Sequence, residues 1–243
     1  KDFVIEYSVK KGKEPKAALF INENKQDNYF MLMAMPPEKT EKKVNIGKEI
    51  IFIIDVSGSM QGVSISQAKK GLEYSISQLN NNDLFNIIAY NDSYFSMSQT
   101  SLPVNENTIS NAYNFINNLN ANGGTRALEP LKHAMLMSPI EDKIKMILFI
   151  TDGDIGYEKN VFNIVDSHLG KSRLFSIGIG TAPNGHLLEK VSRKGRGTYT
   201  YINNINHVDE KMKELLNKID MPVLTDIRLD LNNQAELYPS PLP

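Results

Sequence analysis

Short, unbroken apolar runs alternate along most of this chain with segments in which apolar residues recur every three or four positions. The runs are rich in β-branched and aromatic residues, which is typical of strands buried on both faces. They lie at residues 50–55, 84–90, 145–151, 173–180 and 198–202. The segments between them have the spacing of amphipathic helices. We predict these helices at about residues 65–79, 109–119, 127–137, 158–169, 186–194 and 208–220. Alternating strands and helices predict a doubly wound, mainly parallel α/β sheet with helices on both faces.

Both ends of the chain have a different pattern. Strand-like runs at 3–9, 17–21 and 29–35 are separated by polar turns and stopped by a Pro-Pro pair, which predicts an antiparallel β segment over residues 1–46. Residues 223–231 alternate between apolar and polar side chains, as a half-exposed strand does. We therefore predict a main domain at 47–220, with residues 221–243 providing a strand that packs back on the N-terminal segment in a small β subdomain.

Composition excludes several classes of function. The chain has 27 basic and 28 acidic residues and a net charge of −1, so no basic field indicates nucleic acid as a partner. It has no cysteine, which excludes disulfides, thiolate metal ligands and a cysteine nucleophile. Its apolar runs are far shorter than a transmembrane helix, so we expect no membrane insertion by this fragment. Because the chain opens and closes abruptly, we interpret it as part of a longer protein, and the lack of a visible signal peptide does not choose a compartment.

Oxygen-bearing side chains follow the first buried strand at alternate positions. Asp55, Ser57 and Ser59 form a D-x-S-x-S turn that can direct three oxygen groups at one point. Hard cations such as Mg²⁺ prefer oxygen ligands in a near-octahedral arrangement. The turn alone is weak evidence, because a Ser/Asp turn before a helix is more often a cap.

Two further loops carry oxygen groups toward the same edge of the predicted sheet. Thr125 follows a Gly-Gly pair before a helix, and Asp152 ends another buried strand in a Thr-Asp-Gly sequence. Open α/β sheets bind ligands at the carboxyl ends of their strands, where strand order reverses. Together the three loops predict a cation site. Asp154 fits a helix cap better than a supporting position behind the ligands.

With this combination of motifs, residues 47–220 resemble the von Willebrand factor A domain family. The resemblance implies a central, mainly parallel six-stranded sheet with one antiparallel edge strand, and a metal-ion-dependent adhesion site. It implies that Mg²⁺, or Mn²⁺ or Ca²⁺, is bound directly or through water by Asp55, Ser57, Ser59, Thr125 and Asp152. In this family an acidic group of a protein partner commonly fills the last coordination position.

The flanking sequences are also similar to inter-alpha-trypsin inhibitor heavy chain proteins, and bacterial exported proteins share the layout. The similarity rests on residues 30–37, 53–60 and 222–227. It implies that residues 1–46 end an upstream β domain. The heavy chains couple to hyaluronan at an Asp-Pro processing site that this sequence lacks, so we do not extend that activity to it.

No enzymatic motif accompanies the cation site, and we expect no catalytic residues and no enzyme activity. The chain has no G-x-x-x-x-G-K-[ST] loop and no G-x-S-x-G elbow. We predict a divalent-cation-dependent, adhesion-type protein-binding module of a secreted, periplasmic or cell-surface protein. Its partner would offer an acidic residue, as an extracellular-matrix or cell-surface protein can. The alternatives are an intracellular assembly scaffold using the same site, a structural module with a degenerate site, and a metal-dependent hydrolase.

Overall fold

A computed structural model describes residues 16–23, 28–35, 47–153, 155–220, 236 and 238. The chain divides into two compact units, one of residues 45–219 and the other of residues 1–44 with 220–243. The predicted strand at 3–9, the predicted strand at 223–231 and its pairing with the N-terminal segment lie outside the described residues. So does Asp154, and these expectations stay predictions.

In the smaller unit, strands β1 (Lys16–Glu23) and β2 (Asn28–Met35) pair antiparallel. Leu19 lies opposite Leu32, and Ile21 lies opposite Phe30. All four side chains are exposed. This hairpin agrees with the two strand-like runs predicted at 17–21 and 29–35.

The larger unit is built on one sheet. Its strands are β3 (Lys48–Asp55), β4 (Leu84–Tyr90), β5 (Tyr94–Ser96), β6 (Leu102–Pro103), β7 (Ile144–Thr151), β8 (Arg173–Ile179) and β9 (Tyr199–Ile202). They lie in the order β5-β4-β3-β7-β8-β9, with β6 also paired to β4. Strands β4, β3, β7, β8 and β9 are mutually parallel, whereas β5 and β6 run antiparallel to β4. The predicted doubly wound α/β fold is confirmed.

The antiparallel edge differs from the expected single strand, because two short strands lie along β4. Between them, the Asn86 side chain hydrogen-bonds both the N–H and the carbonyl of Ser98. Its Nδ2 donates to the Ser98 carbonyl at 2.8 Å, and its Oδ1 accepts from the Ser98 N–H at 3.3 Å. A side chain thus replaces a backbone pair, and the edge divides into β5 and β6.

Six helices of the described residues cover the two faces of the sheet. They are α1 (Val63–Ser77), α2 (Glu106–Asn117), α3 (Leu128–Leu136), α4 (Glu158–His168), α5 (Gly185–Lys194) and α6 (Val208–Ile219). Side chains of α1, α2 and α6 pack in one core cluster and those of α3, α4 and α5 in the other. Along β3, Phe52 and Ile54 join the first cluster while Ile51 and Ile53 join the second. Burial on both faces explains why this strand is an unbroken apolar run. Within the described residues, no helix has both the length and the apolar character needed to cross a membrane.

Strand β3 lies between β4 and β7, so the strand order reverses beside it. The chain leaves β3 for β4 on one side and later returns to β7 on the other. The loops that follow these strands therefore diverge and leave a crevice at their carboxyl ends. Asp55 and Asp152 come at this crevice, one at the end of β3 and one directly after β7.

Candidate metal centre

The Asp55 carboxylate, at the end of β3, is fully buried and held by three hydrogen bonds. Its Oδ1 accepts from the Ser57 backbone N–H at 2.8 Å. Its Oδ2 accepts from the Tyr90 hydroxyl at 3.0 Å and from Thr151 Oγ1 at 2.7 Å. Tyr90 and Thr151 are the last residues of β4 and β7, the strands on either side of β3. The carboxylate is therefore fixed by its own loop and by both neighbouring strands.

The electrostatic surroundings of Asp55 disfavour its charge. Burial raises the pKa of this carboxyl above its ordinary value, and the nearby charge of Asp152 adds to the rise, although hydrogen bonds from Ser57 and Thr151 oppose it. Burial, followed by the Asp55 charge, also raises the pKa of Tyr90 well above its ordinary value. Tyr90 is therefore protonated and serves as a donor. A cation beside the two carboxylates would offset their repulsion and favour ionised Asp55.

The two serines of the loop after β3 bring their hydroxyls together. Ser57 Oγ and Ser59 Oγ lie 3.0 Å apart. In an octahedral Mg²⁺ site with Mg–O distances of about 2.1 Å, adjacent ligand oxygens lie about 3.0 Å apart. The hydroxyl pair thus has the separation of two neighbouring ligands. Ser57 is buried and Ser59 is exposed, so the pair extends from the interior to the surface.

The loop that carries Thr125 is bonded directly to the serine loop. The Gly58 N–H donates to the Gly123 carbonyl at 2.9 Å, and the Asn122 N–H donates to the Val56 carbonyl at 2.8 Å. Gly123 has a φ of 74°, a conformation that favours glycine. These bonds hold the half-buried Thr125 on the segment next to the serine loop.

Asp92, in the turn after β4, holds the same loop from the other side. Its Oδ2 accepts from the Gly124 N–H at 3.0 Å, and the Arg126 N–H donates to the Asn91 carbonyl at 2.8 Å. A Cβ atom on Gly123 or Gly124 would lie only 2.5 or 2.6 Å from an Asp92 oxygen. The Gly-Gly pair therefore permits close contact with the Asp92 carboxylate.

Asp152 follows Thr151 directly and is half-buried. Thr151 Oγ1 accepts from the Gly153 N–H at 3.0 Å, which fixes the turn on the far side of Asp152. Gly153 has a φ of 82°, and a Cβ there would lie 2.6 Å from the backbone nitrogen of Asn184. Thr151 thus fixes the turn beside one predicted ligand, Asp152, and also bonds a second, Asp55.

The structure brings the five predicted ligands to one edge of the sheet by different means. Asp55, Ser57 and Ser59 are joined by direct hydrogen bonds, and Asp152 is close enough for its charge to act on Asp55. Thr125 is joined to them through the backbone bonds of its loop. Among the described residues, no group of three or more His, Cys, Asp or Glu side chains could hold a metal ion. A cation at this edge would therefore rely on hydroxyl oxygens as well as two carboxylates, an all-oxygen set that fits a hard divalent cation.

Sequence reasoning missed three residues that support the site: Tyr90, Thr151 and Asp92. The register of β3 and β4 places Asp55 opposite Tyr90. Asp55, Tyr90 and Thr151 are the polar last residues of three adjacent strands, and this shared position was the available signal. Asp92 had no such signal, because it contacts a loop 32 residues further along the chain.

Comparison with known proteins is consistent with this geometry. Residues 48–201 match the sequence model of the von Willebrand factor type A domain. A von Willebrand factor A domain-containing protein of Dictyostelium discoideum is 28% identical over 215 residues, which are 88% of this chain and 23% of that relative. A von Willebrand factor type A structure from Catenulispora acidiphila matches 86% of this chain and 50% of its own, with a TM-score of 0.65 and 21% identity. The PilB minor pilin from Streptococcus sanguinis has a TM-score of 0.61 at 14% identity, covering 86% of this chain and 78% of its own. This chain thus spans under a quarter of its Dictyostelium relative.

Proposed function

Since this chain belongs to the von Willebrand factor A domain family, we propose that it is a divalent-cation-dependent protein-binding module whose cation binds an acidic residue of a partner. Domains of this family are generally involved in protein–protein interaction or adhesion. The observation that carries the proposal is the immobilised Asp55 carboxylate beside the Ser57–Ser59 hydroxyl pair, with the charge of Asp152 acting on it.

In this proposal each residue has a separate part. The cation is held by the five predicted ligands, Asp55, Ser57, Ser59, Thr125 and Asp152, and when bound it supplies an open coordination position for a carboxylate. Asp55 provides the fixed internal charge, because three hydrogen bonds leave its carboxylate little freedom. Ser59 lies at the exposed end of the hydroxyl pair, so we place the open position on that side.

We also propose that the module binds without catalysis. Tyr90 is a titratable side chain that contacts Asp55, and its raised pKa keeps the phenol protonated at neutral pH. A protonated phenol cannot accept a proton from a water molecule, so it cannot serve as a general base.

The cellular setting is part of the proposal. We propose an exported or cell-surface protein, related more closely to inter-alpha-trypsin inhibitor heavy chain proteins than to other members of the family. A pilin among the structures of this fold supports a surface setting. The partner would then be an extracellular-matrix or cell-surface protein that offers Asp or Glu.

Peptide selection tests this function while the partner is still unidentified. A random peptide library displayed on phage is selected on the immobilised chain, once in Mg²⁺ and once in EDTA. We expect the peptides enriched only in Mg²⁺ to share an acidic residue. Synthetic versions should bind at least about tenfold more weakly in EDTA, which removes the cation, and to Ser59→Ala, which removes one of its proposed ligands.

The matched control is Ser66→Ala, which removes an exposed hydroxyl whose bond is to the Gly62 carbonyl at 3.1 Å, within its own helical turn. It should leave binding unchanged. Mg²⁺-selected peptides without an acidic residue, or equal binding to Ser59→Ala and to the native chain, would contradict the proposal.

A further inference from the structure

Strand β5 forms one edge of the sheet, and no strand within the described residues pairs with its outer side. Two bonds point inward, both at 2.8 Å. The Ser93 carbonyl accepts from the N–H of Asn91, the residue after β4, and the Met97 N–H donates to the Ile87 carbonyl of β4. In an antiparallel pair, inward-bonding residues alternate with residues whose N–H and C=O groups point away. By this alternation Phe95 bonds inward, while Tyr94 and Ser96 direct their backbone groups outward. The edge can therefore bond another extended chain.

An apolar groove of about 420 Å³ lies beside this edge, between β5 and the C-terminal half of α2. Its apolar lining consists of Phe95 and Met97 from the β5 side and Phe115 and Leu119 from the helix side. The Phe95 and Phe115 rings are 5.8 Å apart, and Phe95 is 45% exposed. Large apolar side chains exposed in a concave surface indicate a binding groove more strongly than scattered ones do.

Three exposed asparagines line the groove: Asn111 and Asn114 of α2, and Asn118 directly after it. An amide side chain has both donors and an acceptor, so it can bond the two polar groups of one peptide unit. Spacings of three and four residues correspond to about 4.5 and 6 Å along a helix, near the roughly 6.6 Å repeat of an extended chain. No lining residue is charged, so the groove offers no counter-charge to a charged side chain and is better matched by an uncharged segment.

We propose that this groove binds an extended, uncharged segment of a partner protein. The segment adds as a strand to the outer edge of β5, bonding the backbone groups of Tyr94 and Ser96. Its alternate apolar side chains enter the groove between Phe95 and Phe115, and the asparagines of α2 bond its exposed peptide groups. This docking site shares no residue with the cation site and needs no cation.

The test is a peptide selection carried out in EDTA, which removes divalent cations and so prevents binding through the cation site. A displayed library of random peptides is selected on the EDTA-treated chain, and the consensus peptide is synthesised with a fluorescent label and titrated. We expect an uncharged consensus with apolar residues at alternate positions. Phe95→Ala removes half of the groove's aromatic pair and should weaken binding at least about tenfold. Ser96→Pro removes an outward N–H and should weaken peptide binding similarly. The variant should still fold, because proline is tolerated in edge strands.

The matched control is Tyr201→Ala, which removes a similarly exposed aromatic side chain (38%) from β9 at the opposite edge of the sheet. It should leave binding unchanged, and circular dichroism checks that each variant is folded. Absence of an enriched peptide, a charged consensus, or equal binding to Phe95→Ala and the native chain would overturn the proposal. Concentration-dependent dimerisation abolished by Phe95→Ala would assign the groove to a second copy of this chain, and would overturn it as well.

Discussion

Thr151 bonds one proposed cation ligand and fixes the turn beside another, and the substitution Thr151→Val tests this role. Valine keeps the shape of threonine but has no hydroxyl. The change removes the 2.7 Å bond from Oγ1 to the Asp55 carboxylate and the 3.0 Å bond that Oγ1 accepts from the Gly153 N–H. Both bonds are buried, so water cannot replace the lost hydroxyl without rearrangement.

The expected loss of stability follows from these two bonds. A hydrogen bond to a charged group contributes about 1.5–3 kcal/mol, and a buried donor left without a partner costs about 1–3 kcal/mol. The Tyr90 hydroxyl still bonds Asp55, so the carboxylate keeps part of its solvation. We therefore expect Thr151→Val to lower the free energy of unfolding by about 3–5 kcal/mol, a large share of the 5–15 kcal/mol typical of a domain.

Urea denaturation in EDTA, followed by circular dichroism, measures this loss without a contribution from bound cation. Thr151→Ser is the matched control, because it keeps the hydroxyl and removes one methyl group, worth about 1 kcal/mol. If the free energies of unfolding of Thr151→Val and Thr151→Ser differed by less than about 1 kcal/mol, the role assigned to the hydroxyl would be wrong.

Three further predictions concern charge and the shape of the loops. Glu49→Gln leaves the buried Lys145 ammonium, 3.7 Å from Glu49 in the native chain, without its counter-charge, and should lower the free energy of unfolding by about 3 kcal/mol in urea denaturation; a loss below about 1 kcal/mol would contradict this. Because the folded-state pKa of Asp55 is raised above its unfolded value, its charge destabilises the cation-free domain above that pKa, and the destabilisation is relieved as pH falls through it. Mg²⁺ affinity should accordingly decline on acidification, starting at a higher pH than an ordinary aspartate would give; calorimetric titrations with a constant affinity down to about pH 4 would refute this. Gly124→Ala places a methyl group 2.6 Å from a carboxylate oxygen and should weaken Mg²⁺ binding about tenfold. Gly156→Ala, where an added Cβ meets no atom of the described residues within 4 Å, should not, and equal calorimetric affinities would refute the steric argument.

The sequence predicted the large unit well because its strands are buried on both faces. Unbroken apolar runs such as residues 50–54 and 146–150 are typical of internal strands, and amphipathic spacing indicates the helices between them. The five candidate ligands were expected at one edge of the sheet because the loops that follow parallel strands meet there.

What the sequence did not predict depends on contacts between distant side chains and backbone. The Asn86 side chain divides the antiparallel edge by bonding Ser98, and no periodic pattern encodes such a bond. Similarly, the support that Asp92 gives to the Gly-Gly loop depends on two turns meeting in the folded chain. The sequence indicates only that Tyr90 belongs to a buried strand. Its hydroxyl reaches the Asp55 carboxylate because β4 pairs with β3 in the register that places the two residues opposite each other.

Calorimetric titration of the EDTA-treated chain with Mg²⁺, Mn²⁺ and Ca²⁺, alongside Ser59→Ala and Ser66→Ala, measures directly whether this edge of the sheet binds a divalent cation. Ser59 is exposed, so its truncation should leave the fold intact while removing one predicted ligand. We expect saturable binding of one divalent cation, strongly weakened in Ser59→Ala and unchanged in Ser66→Ala. No saturable binding to the native chain, or the same affinity in both variants, would contradict it.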